Sequence, residues 1–285
     1  NIYRAMSKKV TFKSVSLVCH KERFFTYDDW RDRLFVPLAT FLVWVFVRLG
    51  WSGNAVTLLS GVFSVTGAVL IASDEPFVVL IGSFGYMIFY LLDYVDGGVA
   101  RYNKKSGIGG QYFDWIMHVV SSIAFALGLF IGALNVTGDW IIVFGVLTVI
   151  ASALMLDRYA FAWFSICMYH QQNQVKGCED NWSGLDYKPR KESIVYRGFR
   201  YLALGLFHEN YAIFLLPILA TIHYFFTSEL IDFRVVLILI GGLVYFPVML
   251  YEIWKLNVDG RVDNAYQKIF IDKSMPNLPD DHFIK

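Results

Sequence analysis

The chain has 285 residues and a formal net charge of +1, with 56% of its residues hydrophobic and 17% charged. Soluble domains carry nearer a quarter of charged residues, so this balance points to a membrane protein. A net charge this small excludes an electrostatic case for nucleic-acid binding and leaves any basic effect to where individual charges sit.

Residues 1–33 are polar and basic, with no short apolar core before a small-residue cleavage site, and read as a cytosolic N-terminal segment of the working protein. Residues 34–50 hold the apolar run Leu34–Val47, which contains Pro37 and is flanked by Arg31, Arg33 and Arg48. That pattern reads as a helix lying in the membrane interface. Six further segments, near 54–73, 77–101, 107–134, 139–168, 209–228 and 233–254, approach the roughly 20 residues a transmembrane helix needs. Residues 51–255 then form a six-helix membrane domain with a cytosolic connection at 170–207, and 256–285 a cytosolic tail. The expected fold class is an all-α integral membrane protein, with six transmembrane helices preceded by an interfacial amphipathic helix.

Charge placement sets the expected orientation. The connections Ser73-Asp74-Glu75-Pro76, Asn135-Val136-Thr137-Gly138-Asp139 and Ser228-Glu229-Leu230-Ile231-Asp232 contain no Lys or Arg. Lys8, Lys9, Lys13 and Lys21 precede the first span, Arg101, Lys104 and Lys105 follow the second, and Lys176, Lys188, Arg190, Lys191, Arg197 and Arg200 follow the fourth. The positive-inside rule places both termini and these basic connections in the cytosol, an alternation that six spans satisfy and seven break. Cys19, Cys167 and Cys178 make neither an even disulfide framework nor a CxxC pair, and read as isolated thiols.

Ionisable groups inside apolar spans are costly and mark function by default. The second span ends Asp93-Tyr94-Val95-Asp96-Gly97-Gly98-Val99-Ala100-Arg101, and the third begins Gly110-Gln111-Tyr112-Phe113-Asp114-Trp115-Ile116-Met117-His118. Asp93 and Asp96 share a helix face at i,i+3, as Asp114 and His118 do at i,i+4. The basic turn between the spans makes the helices antiparallel, so the carboxylates and the imidazole are expected to converge in one pocket. Like charges that close in a low dielectric call for a cation between them, and oxygen-rich donors suit Mg²⁺ or Mn²⁺. Gly97 and Gly98, with Gly107, Gly109 and Gly110, are expected to let a ligand approach the backbone, and Arg101 to meet a phosphate.

These residues resemble the signature of the CDP-alcohol phosphotransferase family, D-x-x-D-G-x-x-A-R, a short spacer, then G-x-x-x-D-x-x-x-D. Asp93, Asp96, Gly97, Ala100, Arg101, Gly110 and Asp114 fill their places in order. Upstream, Gly53-Asn54-Ala55-Val56-Thr57 is similar to the family's P-N-x-x-T element, with Gly in place of Pro. The resemblance covers roughly 30–255 by its motifs and span outline. It implies a homodimer holding two Mg²⁺ or Mn²⁺ ions on Asp93, Asp96, Asp114 and the last signature position. It also implies CDP lying against Asn54, Thr57, Gly97, Ala100, Arg101 and Gly110. The activity implied is transfer of a phosphatidyl or head-group phosphate from a CDP-linked donor to a polar alcohol or a lipid hydroxyl, releasing CMP. The process implied is phospholipid or related polar-lipid synthesis; the compactness of the chain points to a cell inner or plasma membrane, and the basic connections put the site on the cytosolic face.

The last signature position departs from the family, with His118 where the family has Asp. That Asp is taken in the family as both metal ligand and general base. Imidazole can do both, with an ordinary pKa of about 6.5. Three readings stay open there: an enzyme using His118 and Asp114 as its catalytic pair, a chain deliberately inactivated by substitution, and a chain that binds CDP-lipids without turnover. Asp157-Arg158 is a second charged pair inside a span, and Arg158 is expected either to snorkel outward or to hold an acceptor phosphate or carboxylate. A transporter using the acidic cluster as a cation path is the rival of a different class, although no inverted repeat accompanies it.

Overall fold

Apolar runs of this length leave backbone groups no partner outside their own helix. The computed structural model describes residues 10–21, 30–105, 107–154, 194–195, 198, 209–226 and 231–258, and among these it is all-helical with no strand. In chain order the helices are α1 (Phe12–Lys21), α2 (Trp30–Arg48), α3 (Gly53–Ile71), α4 (Pro76–Tyr102), α5 (Ile108–Thr137), α6 (Asp139–Leu154), α7 (Glu209–Phe225), α8 (Phe233–Ile240) and α9 (Phe246–Val258). A π-helical turn, Gly241–Tyr245, joins α8 to α9. Four helices are long and apolar enough to cross a bilayer: Gly53–Ile71, Pro76–Tyr102, Gly109–Thr137 and Phe233–Tyr251. They mark the chain as a membrane protein.

The stretches Leu34–Arg48, Asp139–Leu154 and Phe214–Phe225 are apolar but shorter. The segment expected at 139–168 is described as far as Leu154, and the one at 209–228 is helical over Glu209–Phe225. The expected interfacial helix begins earlier than 34, at Trp30, and keeps Pro37 inside it. One side of it is buried on α4 through Val36, Ala39 and Val43, while Leu34, Leu38 and Phe41 are exposed. The connection 170–207 and the tail 256–285 lie almost wholly outside the described residues.

Local chemistry sets the helix ends around the α3–α4–α5 unit. Ser52 caps α3, its side chain accepting from the Ala55 amide at 3.2 Å. Pro76 opens α4 in the first turn, where its missing N–H costs nothing. At the other end of α4 the Lys105 amide donates to the Ala100 carbonyl at 2.9 Å, across Lys104 at φ 53. That is the place usually taken by glycine in such a stop, and a lysine there costs roughly 1–2 kcal/mol. The reversal it makes leads straight into α5.

Of these helices α3 meets both α4 and α5 almost backbone to backbone, as small residues permit in membrane proteins. A Cβ on Gly85 of α4 would stand 2.6 Å from the Gly67 Cα of α3, and one on Gly128 of α5 would run into the Ala68 carbonyl. Ser64 and Ser121 hydrogen-bond to each other, buried in the α3–α5 seam. Around this unit Phe35 of α2 stacks on Tyr94 and meets Tyr90 of α4 edge-on, and Phe214 of α7 lies tilted against Phe35. Leu58, Val62, Val69, Ile81 and Phe84 face outward.

The end of the bundle away from Asp93 and Asp114 is closed by a cluster that the sequence reading passed over. Arg234, only 1% exposed, bonds Asp232 through Nε at 3.0 Å and Nη2 at 2.7 Å. Its Nη1 donates to the carbonyls of Ile71 at 2.8 Å and Ser73 at 2.6 Å, which ties the start of α8 to the end of α3. Gly132 of α5 leaves the room that the guanidinium fills. Removing one partner of a buried ion pair strands the other charge. Asp232→Ala is therefore expected to cost about 3–5 kcal/mol, read as a fall in melting temperature in detergent micelles. An unchanged melting temperature would show the pair to be dispensable.

Candidate functional site

The start of α3, the last turns of α4 and the first turns of α5 meet at one end of the bundle. A Cβ on Gly53 would stand 2.9 Å from the Ala100 Cβ and 3.0 Å from the Asp96 carbonyl oxygen, so α3 begins directly on α4. Asn54, in the next position, brings its Oδ1 to 3.4 Å from where a Cβ on Gly110 would lie. One turn into α3, Thr57 Oγ1 lies 2.5 Å from Asp96 Oδ2 and 3.2 Å from the Gly53 carbonyl.

Asp93, one turn before Asp96 on α4, faces α5. His118 Nε2 lies 2.9 Å from Asp93 Oδ1 and 3.6 Å from Asp114 Oδ1. One potential ligand atom from each of Asp93, Asp114 and His118 falls within 4.8 Å of the other two. Phe89, buried on α4, meets the imidazole edge-on at a centroid distance of 5.2 Å, and Trp115 lies at 6.3 Å. These aromatic walls fix the ring's place. The three side chains keep 25%, 34% and 14% exposure for Asp93, Asp114 and His118, so the cluster opens to the surface.

The donor set fits a divalent ion. Two carboxylates and an imidazole are hard to borderline ligands, and neighbouring ligands around an octahedral ion with bonds of about 2.1 Å stand about 3 Å apart. The observed 2.9 and 3.6 Å separations are close to that spacing before any adjustment.

The remaining expected site residues divide. Asp96 is within Coulombic reach of Asp93, Asp114 and His118, yet it stands outside the close trio, with Oδ2 engaged by Thr57. Ala100 faces Gly53 in a helix–helix contact. The space over Gly97, expected to admit a ligand, holds the Arg101 guanidinium: a Cβ there would meet Nη1 at 2.9 Å. Arg101 thus folds back one turn along α4, over Gly97. Arg158, Arg197 and Arg200 lie outside the described residues. The sequence reading did not anticipate the Thr57–Asp96 contact, because a threonine at i+4 from a glycine in an apolar helix carries no sign of which neighbour it will face. No protein-family model matches the chain and no curated protein matches it.

A ligand that binds only the folded chain stabilises it, by about 2.7 kcal/mol at a hundredfold excess over its dissociation constant. Millimolar Mn²⁺ is expected to raise the melting temperature of the purified chain, and Asp114→Asn to remove most of that rise. A wild-type chain indifferent to Mn²⁺ and Mg²⁺ would mean that the trio is no metal centre.

Proposed function

We propose that this chain is an enzyme of CDP-alcohol phosphotransferase type, moving a phosphoalcohol group from a CDP-linked donor to an acceptor hydroxyl and releasing CMP. One observation carries the reading. Positions far apart in sequence that belong to the resemblance meet at one end of three helices: Asn54 beside Gly110, Thr57 on Asp96, and His118 on Asp93. A shared location is what a signature of ligand-binding residues requires, and chance spacing does not supply it.

In the reaction, a bond forms between the acceptor oxygen and the phosphorus distal to cytidine as the anhydride bond to CMP breaks. Mg²⁺ or Mn²⁺ held by Asp93, Asp96 and Asp114 would neutralise the charge that develops on the phosphate oxygens, with the one free lone pair of the His118 imidazole kept for the proton. His118 takes the acceptor's proton as the new bond forms, and passes it to water afterwards. Asp114, one turn away on the same helix, supports the protonated ring as its charge appears. Arg101 turns its guanidinium toward a donor phosphate. Asn54 and Gly110 line the side where the nucleotide enters.

In this proposal α6 and α7 complete a set of six spans with α3, α4, α5 and α8–α9, and α2 lies along the interface. Arg101, Lys104 and Lys105 put the site end in the cytosol by the positive-inside rule. Arg234 at the opposite end does not argue against this, because it is buried and paired with Asp232 and presents no charge to a surface.

The test incubates purified chain with labelled CDP-diacylglycerol or CDP-linked head groups, a panel of acceptors, and Mn²⁺ or Mg²⁺. Metal-dependent CMP release is expected, with Asp93→Asn and Asp114→Asn each lowering it by at least about 100-fold, the lower range of a lost base or metal ligand. His118→Ala should fall similarly and His118→Asp should keep measurable turnover. Undiminished release by the Asp93 and Asp114 variants would remove the assignment.

A further inference from the structure

We propose that Thr57 acts as a positioning residue for Asp96, fixing the carboxylate that serves the metal centre, and does not itself touch the nucleotide. The inference rests on the function proposed above. Thr57 is 3% exposed and Asp96 is 8% exposed, so neither the hydroxyl nor the oxygen it faces is open to a ligand arriving from solvent. The hydroxyl has a single proton, and its nearest acceptor is Asp96 Oδ2 at 2.5 Å, with the Gly53 carbonyl at 3.2 Å as the other candidate.

The rotamer is set by the helix itself. A threonine in a helix chooses between two χ1 states, one of which turns Oγ1 toward the carbonyl four residues back. Here that carbonyl belongs to Gly53, and the same state aims Oγ1 at α4. The reach is then decided by how closely α3 begins on α4. Gly53 has no side chain to hold the helices apart, and a Cβ there would lie 2.9 Å from the Ala100 Cβ. Gly53 and Thr57 thus form one device: the first sets the separation and the second spends it on Asp96.

The consequence falls on metal binding. Asp96 stands apart from Asp93, Asp114 and His118, whose potential ligand atoms lie within 4.8 Å of one another. Joining an ion shared with the two carboxylates among them requires a carboxylate whose plane is held, because a freely rotating group loses entropy each time it binds. Thr57 holds Oδ2, beside a backbone hydrogen bond from Gly97 to the same carboxylate, and so fixes its plane. Losing such an outer partner of a metal ligand lowers metal affinity by about 10- to 100-fold.

The experiment measures Mn²⁺ binding to the purified full chain by electron paramagnetic resonance of free Mn²⁺, without nucleotide. The wild type, Thr57→Val and Thr57→Ser are compared. Valine keeps the shape and loses the hydroxyl, and is expected to weaken Mn²⁺ by about 10- to 100-fold. Serine returns the hydroxyl and is expected to recover most of that loss. Thr57→Ala puts the same question if the valine variant is lost in purification. Equal Mn²⁺ affinity in wild type and Thr57→Val, with KM for the CDP donor raised even at saturating Mn²⁺, would make Thr57 a nucleotide contact and overturn the inference. A wild-type chain with no Mn²⁺ affinity would instead sink the proposed function, and this inference with it.

Discussion

The close crossing of α3, α4 and α5 is the constraint on which the polar chemistry depends. Helices packed through large side chains lie 8–10 Å apart at their axes, and short side chains cannot bridge the seam. Gly53, Gly67, Gly85 and Gly128 bring the backbones of this unit into near contact. Only then do a threonine hydroxyl on α3 and a carboxylate on α4 reach one another, and only then do two serine hydroxyls pair across α3 and α5. The packing also answers a cost. A polar group inside an apolar bundle that finds no partner loses several kcal/mol, by about 2–7 for an uncharged one. Small residues along the seam are therefore what makes Asp96 tolerable at its depth.

The two ends of the bundle use charge in opposite ways. At one, Asp232 takes three nitrogens of Arg234, two carbonyls take the rest, and the cluster is shut from solvent. Its hydrogen bonds are all internal, and it works as a clasp. At the other, carboxylates gather against one imidazole and remain partly exposed. Repulsion between like charges is tolerated there at the surface of a cleft.

Much of the site end was legible because helical periodicity alone decides it. Asp93 with Asp96, and Asp114 with His118, lie one turn apart by spacing, and Asp93, Asp114 and His118 do come together, although α5 packs mainly on α3 and only lightly on α4. What escaped was decided by tertiary distance. Nothing local says that Thr57 turns to Asp96, that the room over Gly97 is taken by Arg101, or that Ala100 serves a contact with Gly53. Arg234 escaped for a related reason. Its partner is two residues away, and the carbonyls it ties lie more than 150 residues upstream at Ile71 and Ser73. Helix ends shifted where capping chemistry outweighed hydropathy, as at Lys104, whose left-handed conformation ends α4 after Tyr102.

His118 changes the character of its cluster in a way that follows from charge count. A carboxylate at that position would set three like charges within a few ångströms, and they would repel one another until a proton or a cation came between them. An imidazole supplies a hydrogen-bonding nitrogen in place of a further negative charge, and its 2.9 Å contact with Asp93 ties α5 to α4. The ring is braced by Phe89, so the tie fixes an orientation as well as a distance.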